Sequence, residues 1–374
     1  MKTDREWTRI DANKYTQPVS TQSAERAISG SVAIHRCTIL GVLARQALIA
    51  EAELTPKPGL VDRRGSGAHT DLSLDLMKRS AIAIEPFISC MAFKSMHEQP
   101  SAHLRGALAA TGRAAENAML RVTNGSNTHK GSIWTLGLLA AAAGATGRDE
   151  LPLIRRRNAA RRNLNAAAIA RTAAQIASFD DSYESAPNAK RQTPNALLSH
   201  GQLVAQKFGV TGARGEAIRG FPHIVDLGLP MLRARRGAGV PERIARLDAL
   251  LAIMAELDDT CLLYRGGKEA LEAGKEGAAS VIDAGGAGSV RGQKCLFALD
   301  KRLLDLGFSP GGSADLLAGT LFLDAIERQQ TEIWACETDE RELTPITNHL
   351  SPITSSLADP SLETQAGSVG ALYL

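Results

Sequence analysis

The chain has 374 residues, 22% of them charged, and a formal net charge of +3. That length suits one large domain or two ordinary ones, and so small a net charge sets up no strong field toward nucleic acid or a membrane surface. Aromatic residues at 4% are too few for a stacking platform for single-stranded nucleic acid, and no uninterrupted apolar run reaches the roughly 18–20 residues of a membrane span.

The N-terminal stretch MKTDREWTRIDANKYTQPVSTQ is polar and lacks the apolar core of a secretory signal. From Glu25 to Glu53 apolar residues recur at helical spacing through Ile34, Cys37, Leu40, Ala44 and Leu48. Segments dominated by Ala, Leu, Arg and Glu, which favour helix, follow over 74–96, 101–122, 131–144, 158–178, 194–208, 216–235, 241–257, 291–306 and 313–328. Thr193-Pro194 supplies a cap followed by proline at the first helical position. Ser313-Ala314-Asp315 supplies a cap with an early carboxylate. No stretch alternates β-branched residues, and VIDAGG and FPHIVDLG are too short to found a sheet. The expected class is all-α, a single large bundle-like domain over 25–328, with a polar extension (1–24) before it and a polar tail (329–374) after it. The charged stretches 151–163 and 180–193 read as solvated excursions, and the tail as draped or partly disordered. The cysteines, Cys37, Cys90, Cys261, Cys295 and Cys336, are odd in number and form no CxxC, which fits core thiols in a reducing cytoplasm.

Connections in a helical bundle are ordinarily short and bland. Five in this chain are not: Thr55–Asp71, Asn124–Gly131, Gly209–Pro222, Leu257–Gly267 and Ser309–Leu317 mix glycine with charged residues or histidine against an expected helix end. Glycine lets backbone approach a ligand closely. Helix N-termini offer free N–H groups to anions, Lys and Arg neutralise phosphate, and carboxylates hold Mg2+ that bridges phosphate oxygens. The mixture therefore points to a phosphate-plus-metal site, with the active site at the glycine-rich helix joints. Each string alone also reads as a turn, a cap or a local ion pair, and neither a Walker A loop nor a dinucleotide fingerprint is present. Five such joints in one chain favour function.

Taken in order, ELTPKPGLVDRRGSGAHTDL, NTHKGSIWTLGLLAAA, GARGEAIRGFP, DDTCLLYRGG and SPGGSADLLAGTLFL resemble the triphosphoribosyl-dephospho-CoA synthases, the ATP:dephospho-CoA triphosphoribosyl transferase family, over residues 25–328. The resemblance implies that ATP and 3′-dephospho-CoA give 2′-(5″-triphosphoribosyl)-3′-dephospho-CoA and free adenine. That product is the precursor of a prosthetic group which a later step attaches to an acyl carrier protein. The family serves citrate lyase and malonate decarboxylase, and LVDRRGSGAHTDLSL with Trp134 in THKGSIW looks closer to the malonate decarboxylase branch. The expected partners are the two substrates, with Mg2+ accompanying ATP; no nucleic acid and no membrane are expected, and a homo-oligomer is allowed for.

The reaction breaks a ribose C1′–adenine bond through an oxocarbenium-like transition state. It needs a carboxylate near C1′ and a base for the attacking 2′-hydroxyl. On the resemblance, Glu51 and Asp62, flanking the PKPG turn, are the first candidates for base and C1′ stabiliser. His69 with Asp71 is the alternative acid–base pair. Lys57, His129, Lys130, Arg214, Gly215, Arg265, Gly311, Gly312 and Ser313 are the expected ligands of ATP and its phosphates, joined by Glu216, which would hold a ribose hydroxyl or orient Arg214. Asp258 and Asp259 are the expected Mg2+ ligands, with Asp315 as a third. On that reading Asp258→Asn or Asp259→Asn lowers turnover at least about tenfold, roughly 1.4 kcal/mol of barrier. Two other functions stay open from the residues alone. One is a Mg2+-dependent N-glycosidic hydrolase acting on an ADP-ribose-like substrate; the other is a non-catalytic assembly factor.

Overall fold

The computed structural model describes residues 21–96, 98–146, 165–181 and 200–329. Every regular element among them is helical, and the one isolated β-bridge pairs Asp62 with Gly65. In chain order the helices are α1 (Thr21–Glu53), α2 (Leu74–Ser95), α3 (Ala102–Val122), α4 (Lys130–Thr146) and α5 (Ala166–Ser178). Then come α6 (His200–Phe208), α7 (Gly212–Ile218), a π-helical turn (His223–Gly228) and α8 (Leu229–Gly237). The last four are α9 (Glu242–Glu256), α10 (Thr260–Asp283), α11 (Val290–Leu306) and α12 (Gly311–Arg328). Thr193-Pro194, the stretch 151–163, all but the start of 180–193 and nearly all of the tail lie outside the described residues.

The starts are fixed by local chemistry. Ser73, Ser101, Asn165 and Ser289 each turn a side-chain oxygen onto a backbone N–H of the first turn of α2, α3, α5 and α11, which satisfies a donor the helix itself leaves open. Helix α4 is apolar on all sides, with Ser132, Ile133 and Thr135–Ala145 buried, so it belongs inside the bundle. It packs against α2, α3, α5 and α12. Gly137 and Gly144 make that possible: a Cβ at Gly137 would lie 2.5 Å from Met91 Sδ, and one at Gly144 would lie 2.3 Å from the Ala92 carbonyl oxygen. Helix α1 packs on α2 and α12 through Leu40, Leu43, Ala44 and Leu48. Its segment Ala33–Glu53 is long and apolar enough to cross a membrane on length and composition alone, although Arg36, Arg45 and Glu51 interrupt its apolar run.

Two helix expectations need correction. The sequence reads the start of α10 as a joint and leaves the rest of it without structure. Its glycines lower helix propensity, yet in the fold they admit neighbours: a Cβ at Gly266 would lie 2.2 Å from the Phe308 ring and one at Gly277 would lie 2.4 Å from Leu299 Cδ1. The helix is interrupted only at Gly267, at φ 64° and ψ −152°. The sequence reads 216–235 as one helix. The segment is instead α7, a turn with Phe221 at φ 55°, the π-helical turn and α8.

Candidate active site

The first joint is a folded loop whose Lys57 and Asp62 turn inward, while Arg63, Arg64 and Asp71 are exposed. Asp62 organises it. Its Oδ2 accepts the Lys57 N–H at 2.9 Å and its Oδ1 accepts the Arg64 N–H at 2.7 Å, while the Arg64 guanidinium donates to both oxygens. Arg64 also reaches Asp300 Oδ2 on α11 at 2.5 Å, and Asp300 Oδ1 accepts the Gly59 N–H at 3.0 Å. Gly59, at φ 69°, is required there: a Cβ would lie 2.5 Å from the Phe308 carbonyl oxygen. Lys57 is driven inward to 1% exposure, with Nζ 2.5 Å from Glu51 Oε1. The buried pair has no net charge.

The starts of α10, α12 and α4 are tied together by the chain's own carboxylates. Asp259 caps α10, accepting the Cys261 N–H at 2.9 Å. The same carboxylate accepts the Ser313 N–H and Oγ–H, each at 2.8 Å, and the Gly312 N–H at 3.3 Å. Asp315, on α12, accepts in turn from the Ser132 hydroxyl and backbone N–H at the start of α4. A Cβ at Gly131 would lie 2.0 Å from Asp315 Oδ2, so glycine is what lets that carboxylate reach α4. Ser313, expected as the α12 cap, lies instead in the first turn, and its donors go to Asp259.

The titrating groups follow from this burial. His69 is lowered to about 4 by burial and by Arg265, with Asp71 pulling the other way. Arg265 Nη2 lies 3.3 Å from His69 Nδ1, and His69 Nε2 lies 2.9 Å from Ser309 Oγ. Arginine only donates, so Nδ1 accepts and Nε2 carries the proton. His129, just before α4, is lowered to about 3 by burial and by Lys57. Asp315 is raised to about 7 by burial and by Glu51 and Asp259, against the hydrogen bonds from Ser132. Burial, Asp259 and Asp315 push the Cys261 thiol far up, so it is no nucleophile.

The third joint is built differently. Arg214 is exposed and pairs with Asp180 at 2.5 Å. Arg219 reaches Thr211 Oγ1 at 2.9 Å. Glu216 is buried, and its oxygens accept from His223 N–H at 3.0 Å and His223 Nδ1 at 2.8 Å. A Cβ at Gly215 would lie 2.1 Å from Thr211 Cβ, so this glycine serves packing within its own turn. Trp134 Nε1 on α4 donates to the Ala213 carbonyl at 3.1 Å, and the Arg105 guanidinium lies 4.9 Å from the Trp134 ring centre.

The five joints meet. The first touches the fifth through His69–Ser309 and the fourth through His69–Arg265. The fourth touches the fifth through Asp259–Ser313, and the second touches the fifth through Gly131, which lies against the Asp315 carboxylate. A Cβ at Gly212 in the third would lie 3.5 Å from Thr260 Cγ2 in the fourth.

Within that junction several expected roles change. Asp62 has both oxygens taken up by the loop, which makes it a lock. His69 Nδ1 and Asp71 Oδ1 are 3.8 Å apart, with Asp71 exposed and Arg265 Nη2 nearer to the same nitrogen at 3.3 Å. Glu216 holds His223 and does not orient Arg214. Lys130 pairs with Glu116 at 3.1 Å, at an exposed position. Gly312 and Ser313 spend their N–H groups on Asp259, and Gly311 packs beside Cys261. Arg265 is the expected phosphate cation whose side chain meets no carboxylate among the described residues.

The three expected Mg2+ ligands do not assemble. Asp258 is exposed and meets Lys275 Nζ at 3.1 Å, while Asp259 has its lone pairs filled by two helix starts. Among the described residues no three His, Cys, Asp or Glu converge closely enough to hold a metal ion, so a resident three-carboxylate site does not fit these residues.

Three participants escape the sequence reading. Asp300 and Ser80, whose Oγ lies 2.7 Å from His129 Nδ1, carry no sequence signal beyond a polar residue on a helix. His223 follows directly on GARGEAIRGFP and is legible as part of it.

The comparisons define the class. The ATP:dephospho-CoA triphosphoribosyl transferase family profile matches residues 37–333. A protein of Pseudomonas fluorescens strain Pf0-1 named "Probable 2-(5''-triphosphoribosyl)-3'-dephosphocoenzyme-A synthase" is 48% identical over 295 residues, covering 77% of this chain and 92% of that one. Proteins of the same name from Pseudomonas aeruginosa strain UCBPP-PA14 and Stutzerimonas stutzeri strain A1501 are also 48% identical, over 290 and 288 residues; each alignment covers 77% of this chain, and 90% and 91% of theirs. The chain belongs to the ATP:dephospho-CoA triphosphoribosyl transferase family. It is a transferase whose family uses ATP and dephospho-CoA.

Proposed function

We propose that the protein moves the 5-triphosphoribosyl group of ATP onto the 2′-hydroxyl of 3′-dephospho-CoA and releases adenine. The observation that carries this reading is the meeting of all five family-like joints at one junction, with buried carboxyls at its centre. The C1′–nitrogen bond breaks with its electron pair going to adenine, and a new bond forms between C1′ and the 2′-oxygen. The hydroxyl proton passes to a carboxylate and the departing adenine takes up one proton, so the sum is neutral. Asp315, raised to about 7 by its burial and by the neighbouring acids, is matched to accept that proton near neutral pH. Glu51, beside Lys57, is the candidate to face the positive charge that develops at C1′. Asp62 and Asp259 hold the frame. Magnesium enters as part of the ATP substrate and not on a resident carboxylate set.

The product is destined for the prosthetic group of malonate decarboxylase, with the acyl carrier protein modified in a later step. The LVDRRG segment, whose Arg64 locks the first joint, and Trp134, which holds the third, support this branch. A cytoplasmic setting is supported by the free thiols of Cys37, Cys90, Cys261 and Cys295.

The test is to incubate the protein with ATP, Mg2+ and 3′-dephospho-CoA and to follow adenine and product mass. Adenine that appears only with the acceptor, with a conjugate keeping all three ATP phosphates, is the expected result. Adenine without the acceptor would make the protein a hydrolase, and none at all would leave a binding role.

A further inference from the structure

His129 is 2% exposed, and its Nε2 has no hydrogen-bond partner among the described residues. Its other nitrogen fixes what that atom is. Nδ1 lies 2.7 Å from Ser80 Oγ, and Ser80 Oγ accepts the Thr128 hydroxyl at 2.7 Å. A serine hydroxyl has one proton to give. Its oxygen accepts from Thr128, and among the described residues Nδ1 is its only other partner, so that proton goes to Nδ1. Nδ1 is then the acceptor, and the neutral ring carries its proton on Nε2. The Thr128–Ser80 relay thus leaves a buried N–H with nothing to donate to. Such a group is costly and is accounted for by a ligand or a bound water.

The charge around it narrows the ligand. The cation that acts on it, Lys57, is neutralised by Glu51 at 2.5 Å, and Glu51 in turn acts on Asp315. A triphosphate needs an excess of positive charge, which this place does not have. A hydroxyl needs a donor for its oxygen and an acceptor for its proton, and here an imidazole N–H lies near Lys57, whose partner Glu51 is a carboxylate able to accept.

Building on the transferase reading, we propose that His129 Nε2–H donates to a hydroxyl oxygen of the ATP ribose, with Ser80 and Thr128 as positioning residues that hold the tautomer. This moves His129 and Lys57 from the phosphate end of ATP to its ribose end. The triphosphate then runs toward the exposed cations, Arg265 first.

The experiment compares ATP, 2′-deoxy-ATP and 3′-deoxy-ATP as donors, in the wild type and in His129→Ala, by kcat/KM for adenine release with dephospho-CoA present. In the wild type, removing the contacted hydroxyl costs roughly tenfold or more. In His129→Ala the penalty for that same analogue falls to about twofold or less, because the donor is already gone. Equal penalties in both proteins, for both analogues, would mean that the N–H serves a water or only the fold, and would overturn the proposal. Ser80→Ala keeps the ring and its surroundings; it is expected to lower kcat several-fold and to shrink the same penalty.

A wild type that releases no adenine from ATP would defeat the transferase reading itself. The tautomer is then tested directly by 15N NMR of His129 at neutral pH. A proton on Nε2, redistributed by Ser80→Ala, supports the relay, and a proton on Nδ1 overturns it.

Discussion

In Thr55–Asp71 part of the charge faces the protein: Lys57, Asp62 and the neighbouring Glu51 are buried, and Arg64, itself exposed, bridges Asp62 to Asp300, while Arg63 and Asp71 lie on the outer side. In Gly209–Pro222 the cations face outward. Arg214 and Arg219 are exposed, and of the joint's charged residues only Glu216 is buried. The two joints contain the same kinds of residue and lie at the same junction. The buried part of the first has its charges paired within the loop and with α1 and α11, so it offers a neutral wall suited to a sugar and a developing positive charge. The third keeps guanidinium groups that can leave surface partners for an anion, because an exposed ion pair holds them by only about 0–1 kcal/mol.

The largest effect expected from breaking the wall is at Asp259. Asp259→Ala removes the acceptor of four donors at two helix starts and should cost roughly 2–4 kcal/mol of stability, read as a lower midpoint of urea unfolding. An unchanged midpoint would mean that α10 and α12 are held some other way. On the outward side, Arg265→Ala is expected to raise KM for ATP about tenfold, and Arg214→Ala about threefold, with thermal stability unaltered. A fall in kcat at constant KM would place these residues at the reacting atoms instead.

The pH dependence separates the groups by sign. His69 and His129 are lowered to about 4 and about 3, so the unfolded chain binds more protons than the folded one below its ordinary histidine value near 6.5. Their contribution is present above that value and is lost as pH falls. Asp315 is raised to about 7; it favours the folded state at low pH and loses that contribution as pH rises from about 4 to about 7. Two histidines oppose one aspartate, so the melting temperature should rise from pH 5 to 6.5. Asp315→Asn should make that rise steeper, and a flatter curve in the variant would contradict the sign. The smallest effect is expected at Asp258, which is exposed and meets only Lys275: Asp258→Asn should change turnover by less than about twofold. The paired-aspartate reading of the sequence demands at least tenfold there.

That disagreement marks the boundary of what is legible in the sequence. The all-α class is readable because Ala and Leu recur at helical spacing. The five joints are readable because glycine beside charge is rare in a bundle connection. Side-chain direction is not. Asp258 and Asp259 are neighbours in sequence, but Asp259 sits at the helix cap and faces inward, while Asp258 faces solvent. The Gly-rich helix α10 escapes a propensity reading because its glycines answer to Phe308 and Leu299, distant in sequence. Ser80 cannot be chosen among the polar residues of α2 before His129 is placed beside it.

The division of ATP between a neutral wall and outward cations is tested most directly by the preference for ATP over ADP. The ratio of their kcat/KM values should fall markedly in Arg265→Ala and stay at the wild-type value in His129→Ala. If His129→Ala erased the preference while Arg265→Ala kept it, the triphosphate would lie at the buried wall and ATP would sit the other way round in the site.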